Sequence, residues 1–153
     1  MSIETRLAEL GITLPQPAAP VASYVAAVEA NGLLHISGQL PFVDGQLMTG
    51  RLGEDRDVDY GQTAAKMCGV MLIAQIKAAL GSLDRVERIV KLGAFISSGA
   101  DFTDQPKVAN GASDLMVSVF GDAGKHARSA VGVPVLPLGA VVEIDAIVAV
   151  KSA

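Results

Sequence analysis

From Val141 to Val150 the chain runs Val-Val-Glu-Ile-Asp-Ala-Ile-Val-Ala-Val. Side chains of a β-strand alternate between two faces. Val142, Ile144, Ala146, Val148 and Val150 then share one face, and it is wholly apolar. That face must be covered by helices or by another sheet. Val141, Glu143, Asp145, Ile147 and Ala149 share the other. Two carboxylates two residues apart in an apolar strand are costly to bury unless they are paired or hydrogen-bonded. Either this face meets water or a cleft between subunits, or the acids have a partner. Arg128 opens the preceding apolar run and is the nearest charged candidate. A structural arginine–carboxylate pair at a sheet edge and a functional pair both fit that pattern.

The remaining elements read as what is needed to cover these strands. Ile3 to Leu10 has helical spacing, with Ile3, Leu7 and Leu10 on one side, and Gly11 stops it. Pro15, Pro17 and Pro20 make residues 14–20 an extended crossing segment. Residues 1–20 are thus a short helix and a Pro-rich extension of a single domain spanning 1–153. Ser23–Val28 and Leu33–Ser37 read as strands joined across Glu29-Ala30-Asn31-Gly32, and Asn-Gly is a strong hairpin signal. Gly38 ends the second strand, either as an ordinary bulge or turn or as a point of close backbone approach. Gln46–Met48 is a short strand. Thr49–Tyr60 is a polar loop with Arg51 and Arg56 solvated.

Gln62–Leu80 reads as the long helix. Its stripe of Ala64, Met67, Cys68, Met71, Ala74 and Ala78 is joined by Val70 and Ile73, so more than one side is covered. Arg88–Ser97 is a central strand. Pro106 opens a second helix whose buried stripe is Val108, Ala112, Leu115, Met116, Val119 and Phe120. Strands, helix, strand, helix and two strands imply an α+β sandwich, a sheet with both long helices on one face.

Charge and composition exclude several functions. The formal net charge is −4, which argues against a general nucleic-acid-binding surface, since that needs clustered Lys and Arg. Cys68 is the only cysteine, so no disulfide forms within the chain; this fits a reducing, cytoplasmic location. Cys68 lies in the apolar run Met67 to Leu72 and reads as a small core residue. His35 and His126 are the only histidines, and no His/Cys cluster suggests a metal. His126 reads as a surface residue before a strand. No signal sequence and no membrane-spanning run is expected. The mean hydropathy of +0.43 is high for a small monomer, so some apolar surface is expected between subunits.

The segment Arg128-Ser129-Ala130-Val131, then Leu136-Pro137-Leu138-Gly139-Ala140, then Val142 to Ile147, resembles the C-terminal signature of the RidA/YjgF family, also called endoribonuclease L-PSP-like. Ile36-Ser37-Gly38-Gln39-Leu40-Pro41 is similar to its Ser-Gly-Gln segment. Gln62-Thr63, Ile89-Val90-Lys91 with Phe95, Asp101-Phe102, and Asn110 with Phe120 follow in the family's order. The likeness runs from about Tyr24 to Val150. It implies a chorismate-mutase-like sandwich with a mixed sheet. It also implies a homotrimer whose sheets pack into a central barrel, with ligand clefts between subunits.

The resemblance further implies hydrolytic deamination of small 2-imino and 2-enamino acids to 2-oxo acids, without metal or cofactor. Arg128 would hold the substrate carboxylate, as a planar guanidinium can. Glu143 would orient the attacking water. Gly38 and Ala130 would complete the pocket with backbone groups, and Tyr24 and Asn110 would stand at its rim or behind it. The partners implied are a small carboxylate ligand and two further copies of the chain, with no membrane and no nucleic acid. The chain departs from the family at Ala130, often cysteine, at Gly69, where asparagine is common, and in its N-terminal extension and the 49–60 loop. Two other functions stay open: a non-catalytic or regulatory trimer that only binds small carboxylates, and a ribonuclease, against which the low positive charge argues.

Overall fold

The structure is a computed structural model, and it describes residues 1–17, 20 and 22–153. The extended segment expected over 14–20 is irregular at 14–17; positions 18 and 19 lie outside the described residues. The elements are α1 (Ile3–Glu9), β1 (Ala27–Ala30), β2 (Leu33–Gln39), β3 (Phe42–Val43), β4 (Gln46–Leu47), α2 (Val58–Leu80), β5 (Val86–Ser97), α3 (Gln105–Phe120), β6 (Ala127–Val133) and β7 (Val142–Val150). The α+β architecture is as expected. A five-stranded mixed sheet has the order β1-β2-β7-β5-β6, and β3 and β4 form a separate ribbon.

Local chemistry explains most boundaries. The β1–β2 hairpin is tighter than expected, because Asn31 (φ 53°) and Gly32 (φ 77°) alone make the turn, the left-handed pair that matches strand twist. Strand β1 therefore begins at Ala27, and residues 23–26 are not strand. Helix α2 starts at Val58 rather than Gln62. The Asp57 side chain caps it by accepting from the Tyr60 N–H, which contributes about 1 kcal/mol. Gly81, at φ 79°, ends the helix in the left-handed conformation.

The loop before α2 is exposed from Gly53 to Asp57, Arg56 included, as expected, but it is also anchored to the fold. Leu52 is wholly buried. Arg51 donates from Nη2 to the Ser98 carbonyl at 3.1 Å, and the Arg56 guanidinium stacks 4.2 Å from the Tyr60 ring centroid. Burying a leucine contributes about 1.5–3 kcal/mol, so Leu52 pins this loop to the end of β5.

Both long helices pack on one face of the sheet, over Leu92, Ala94, Ile96, Ile144 and Val148. They also pack on each other through glycines. A Cβ at Gly69 of α2 would stand 2.8 Å from Leu115 Cδ2 of α3, and one at Gly111 of α3 would overlap the Gln62 carbonyl. Gly111, which meets backbone, therefore sets how closely the helices approach, while the contact at Gly69 is with a movable side-chain end. By length and composition α2 is apolar enough to cross a bilayer, contrary to expectation, but 61% of the qualifying stretch is buried inside the fold. It serves here as a core helix.

Strand connectivity gives the main departure from the sequence reading. The β6 and β7 runs are not neighbours, because β5 lies between them, parallel to β6 and antiparallel to β7. Parallel neighbours need a long crossover, and α3 is that crossover between β5 and β6. The return from β6 then passes the end of β5. There Ser98 N–H donates to the Val133 carbonyl and Ser97 N–H to the Val141 carbonyl.

Candidate functional site

Register decides which side chains can meet. Arg128 stands beside Leu92, and Leu92 beside Ala146. Arg128 therefore lies in a row whose other members face the helices. Glu143 pairs with Phe95 and Asp145 with Gly93, on the opposite, helix-free face. The arginine–carboxylate pair suggested by the sequence is therefore not formed within one chain. Adjacency in sequence does not survive the insertion of β5, and the alternation of strand faces separates the charges.

Helix α3 takes the place of the acids around Arg128. Arg128 Nη1 donates to Asn110 Oδ1 at 2.8 Å and to Ser113 Oγ at 3.1 Å. Asn110 and Ser113 are three residues apart, so they share one face of the helix. His126 Nε2 lies 2.9 Å from the same Ser113 hydroxyl, and its Nδ1 lies 2.6 Å from the Gly124 carbonyl. Arg128 and Asn110, both placed at the pocket by the family resemblance, are thus in direct contact. Ser113 was not anticipated, and His126 is no mere surface residue. His126 immediately precedes β6, and its extended i, i+2 spacing to Arg128 was the available signal, since such residues point the same way. Ala130 is half-buried two residues further along, on the same face as Arg128.

Glu143 forms a second group with Gly38. Between Ile36 and Gln39 strand β2 carries one residue more than its partner β7, a β-bulge. The bulge lays the Gly38 backbone against Glu143 so closely that a Cβ there would overlap the carboxylate. A methyl at Gly38 would have to displace the Glu143 side chain, and the strand does not end at Gly38 but runs on to Gln39, so Gly38 sits in a bulge, one of the two sequence readings. Gly93 is placed against Asp145 in the same way. The Glu143 carboxyl is pushed above the ordinary carboxylate range, first by partial burial and then by the charge of Asp145. Asp145 is also raised by burial, and a backbone hydrogen bond at Gly93 and the Lys91 ammonium counteract this. Burial raises the Cys68 thiol most of all. That thiol lies in the core against the Val142 carbonyl, an inert position.

Two recesses lie near this group, one lined by Gly38 and the other by Asp145, and Glu143 itself lines neither. One, of about 790 Å³, runs from Tyr24, Ser37 and Gly38 past Gln39 and Phe42 to Met67 and Met71. Tyr24, 60% exposed, stands at its mouth beside Gly38. No Lys or Arg is among the described residues that line it. The other, of about 430 Å³, lies on the helix-free face between His35, Lys91, Phe95 and Asp145. That face is edged by apolar surface, with Val28 53% and Val131 47% exposed. Among the described residues no cluster of three His, Cys, Asp or Glu side chains gathers.

Residues 4–149 match the family described as "YjgF/chorismate mutase-like, putative endoribonuclease". Protein TCP17 of Trypanosoma cruzi is 53% identical over 148 residues, 95% of this chain and 92% of that protein. The crystal structure of Atu1372 from Agrobacterium tumefaciens, a protein of unknown function, superposes with a TM-score of 0.91 at 48% identity, covering 97% of this chain and 92% of the other. The TdcF protein of E. coli, solved with bound serine, has a TM-score of 0.63 at 26% identity, covering 90% of this chain and 94% of its own.

Proposed function

The chain belongs to the YjgF/RidA family, and we propose that it hydrolyses small 2-imino and 2-enamino acids to 2-oxo acids and ammonia, in clefts between copies of itself. The observation that carries this reading is that the chain holds both a braced guanidinium at Arg128 and a carboxyl at Glu143 whose proton affinity is raised. A substrate needs both, and in one chain they stand on opposite faces of the sheet. The site is therefore completed by Arg128 of a neighbouring copy, in a homotrimer whose helix-free faces pack into a central barrel. The exposed Val28 and Val131 on that face support such packing. The protein works in the cytoplasm.

In the proposed step the guanidinium of one copy binds the substrate carboxylate in bidentate fashion. Glu143 of another copy holds a water and takes its proton as the water oxygen bonds to the C=N carbon. The π electron pair moves to nitrogen. The proton held by Glu143 is then passed to that nitrogen, giving a neutral carbinolamine. Glu143 next takes the hydroxyl proton and passes it to the same nitrogen as the C–O bond becomes a carbonyl and the C–N bond breaks, so ammonia leaves the 2-oxo acid. A carboxyl with raised proton affinity suits these transfers, because general acid–base catalysis is most effective when the pKa approaches the working pH. The Gly38 backbone lies against the same carboxylate, Ala130 extends the arginine wall, and Tyr24 stands at the rim. No metal or cofactor takes part.

A second reading has one specific support: TdcF was solved with bound serine, a small molecule that carries a carboxylate. On that reading this chain binds such acids without turnover. Ribonuclease activity is the weakest reading, given the net charge of −4. The deciding experiment generates a 2-imino acid in situ with an amino-acid oxidase and traps surviving imine with semicarbazide. Faster loss of imine with the wild-type protein, and none with Arg128→Ala, supports the deaminase. If both proteins match the blank across several side chains, the protein is a binder.

A further inference from the structure

The hydrogen bonds behind Arg128 run in one direction. The Gly124 carbonyl can only accept, so His126 carries its proton on Nδ1 and donates it there. In the neutral ring Nε2 is then an acceptor, and the Ser113 hydroxyl donates to it. That leaves the Ser113 oxygen to accept from Arg128 Nη1. The chain is complete from Arg128 to Ser113 to His126 to Gly124. Asn110 Oδ1 accepts a second bond from the same Nη1. Both contacts use Nη1, so neither occupies Nε–H or Nη2–H, the side-on pair that can grip a carboxylate with two parallel bonds.

We infer that Ser113 and His126 are positioning residues that fix the rotamer of Arg128 and aim its Nε/Nη2 edge at the ligand carboxylate. The inference rests on the reading of Arg128 as a carboxylate clamp. A long arginine side chain loses considerable rotamer freedom when it binds. Bracing it beforehand moves that cost from binding into folding. The brace touches neither the reacting carbon nor Glu143, so it should act on ligand affinity and not on the chemical step.

The test measures steady-state kinetics on freshly generated 2-imino acid and calorimetric affinity for 2-oxobutanoate, a product-like carboxylate, in parallel with melting temperature. Ser113→Ala and His126→Leu should each raise KM and the 2-oxobutanoate Kd by about tenfold, with kcat within about twofold. The double variant should be no worse than either single one, since both break the same chain. His126→Gln offers an acceptor oxygen near the Nε2 position and should recover most of the affinity. Unchanged KM and Kd in His126→Leu, while Arg128→Ala abolishes both, would overturn the brace and leave the clamp standing. A loss shared by kcat, KM and melting temperature, with no recovery in His126→Gln, would also overturn it by making His126 merely structural. If Arg128→Ala itself keeps wild-type affinity, the clamp falls, and the brace falls with it.

Discussion

The two halves of the candidate site are built on opposite physical principles. Around Arg128, at the β6 edge, hydrogen-bond acceptors hold the guanidinium in place. Asn110 and Ser113 accept from it, and His126 backs Ser113. Around Glu143, in the middle of the sheet, the surroundings raise the energy of the charged form through burial and a neighbouring acid. The cation is braced for binding, which favours groups already held in place. The acid is left able to exchange a proton, which favours a group whose two protonation states are close in energy. The glycine that contacts it, Gly38, contributes shape without adding charge.

This contrast can be broken at either half. The largest effect is expected from Arg128→Ala, where truncating one member of a charged pair costs about 2–5 kcal/mol. Turnover of the 2-imino acid should fall by two orders of magnitude or more, and calorimetry should detect no 2-oxobutanoate binding. Retained affinity would remove the clamp. Glu143→Gln should lower kcat about a hundredfold, the lower range for a lost general acid–base, while 2-oxobutanoate still binds. Turnover at the wild-type rate would end the water-activating role. Gly38→Ala should be milder. Its methyl would displace the far end of the flexible Glu143 side chain, so kcat should drop about tenfold with little change in melting temperature. A large loss of stability instead would show that Gly38 serves the fold first.

The smallest effect concerns pH. The Glu143 carboxyl has a higher pKa folded than unfolded, so the folded state holds a proton that the unfolded state has released. Such a group adds stability in acid, below the unfolded pKa, and that contribution is lost as pH rises through the folded value. At neutral pH ionised Glu143 is therefore a burden. Glu143→Gln should raise the denaturation midpoint at pH 7, and the gain should shrink as pH falls toward about 4. Asp145→Asn should follow the same direction to a lesser degree, because Lys91 and the Gly93 backbone already favour its charge. A gain independent of pH would mean that the acids are not the cause.

Much of the fold was legible because its signals are local. Period-two alternation marked β7, Asn31-Gly32 the hairpin, and the apolar stripes both long helices. The errors came where a distant contact overrides a local one. The 49–60 segment looks polar, but Leu52 inserts into the core and orders it. His126 looks isolated until α3 brings Ser113 to it.

The sequence by itself determined the faces: which residues of each strand and helix share a side follows from backbone periodicity and needs no partner. It therefore settled that Glu143 and Asp145 lie together on one side of an apolar strand. It could not determine neighbours, because strand order depends on where a crossover helix returns the chain. Only the tertiary structure decided that β5 separates β6 from β7. That one insertion turns Arg128 away from Glu143 and toward Asn110, Ser113 and His126. The two charges that look paired in the sequence are thereby held apart by the alternation of faces across the sheet.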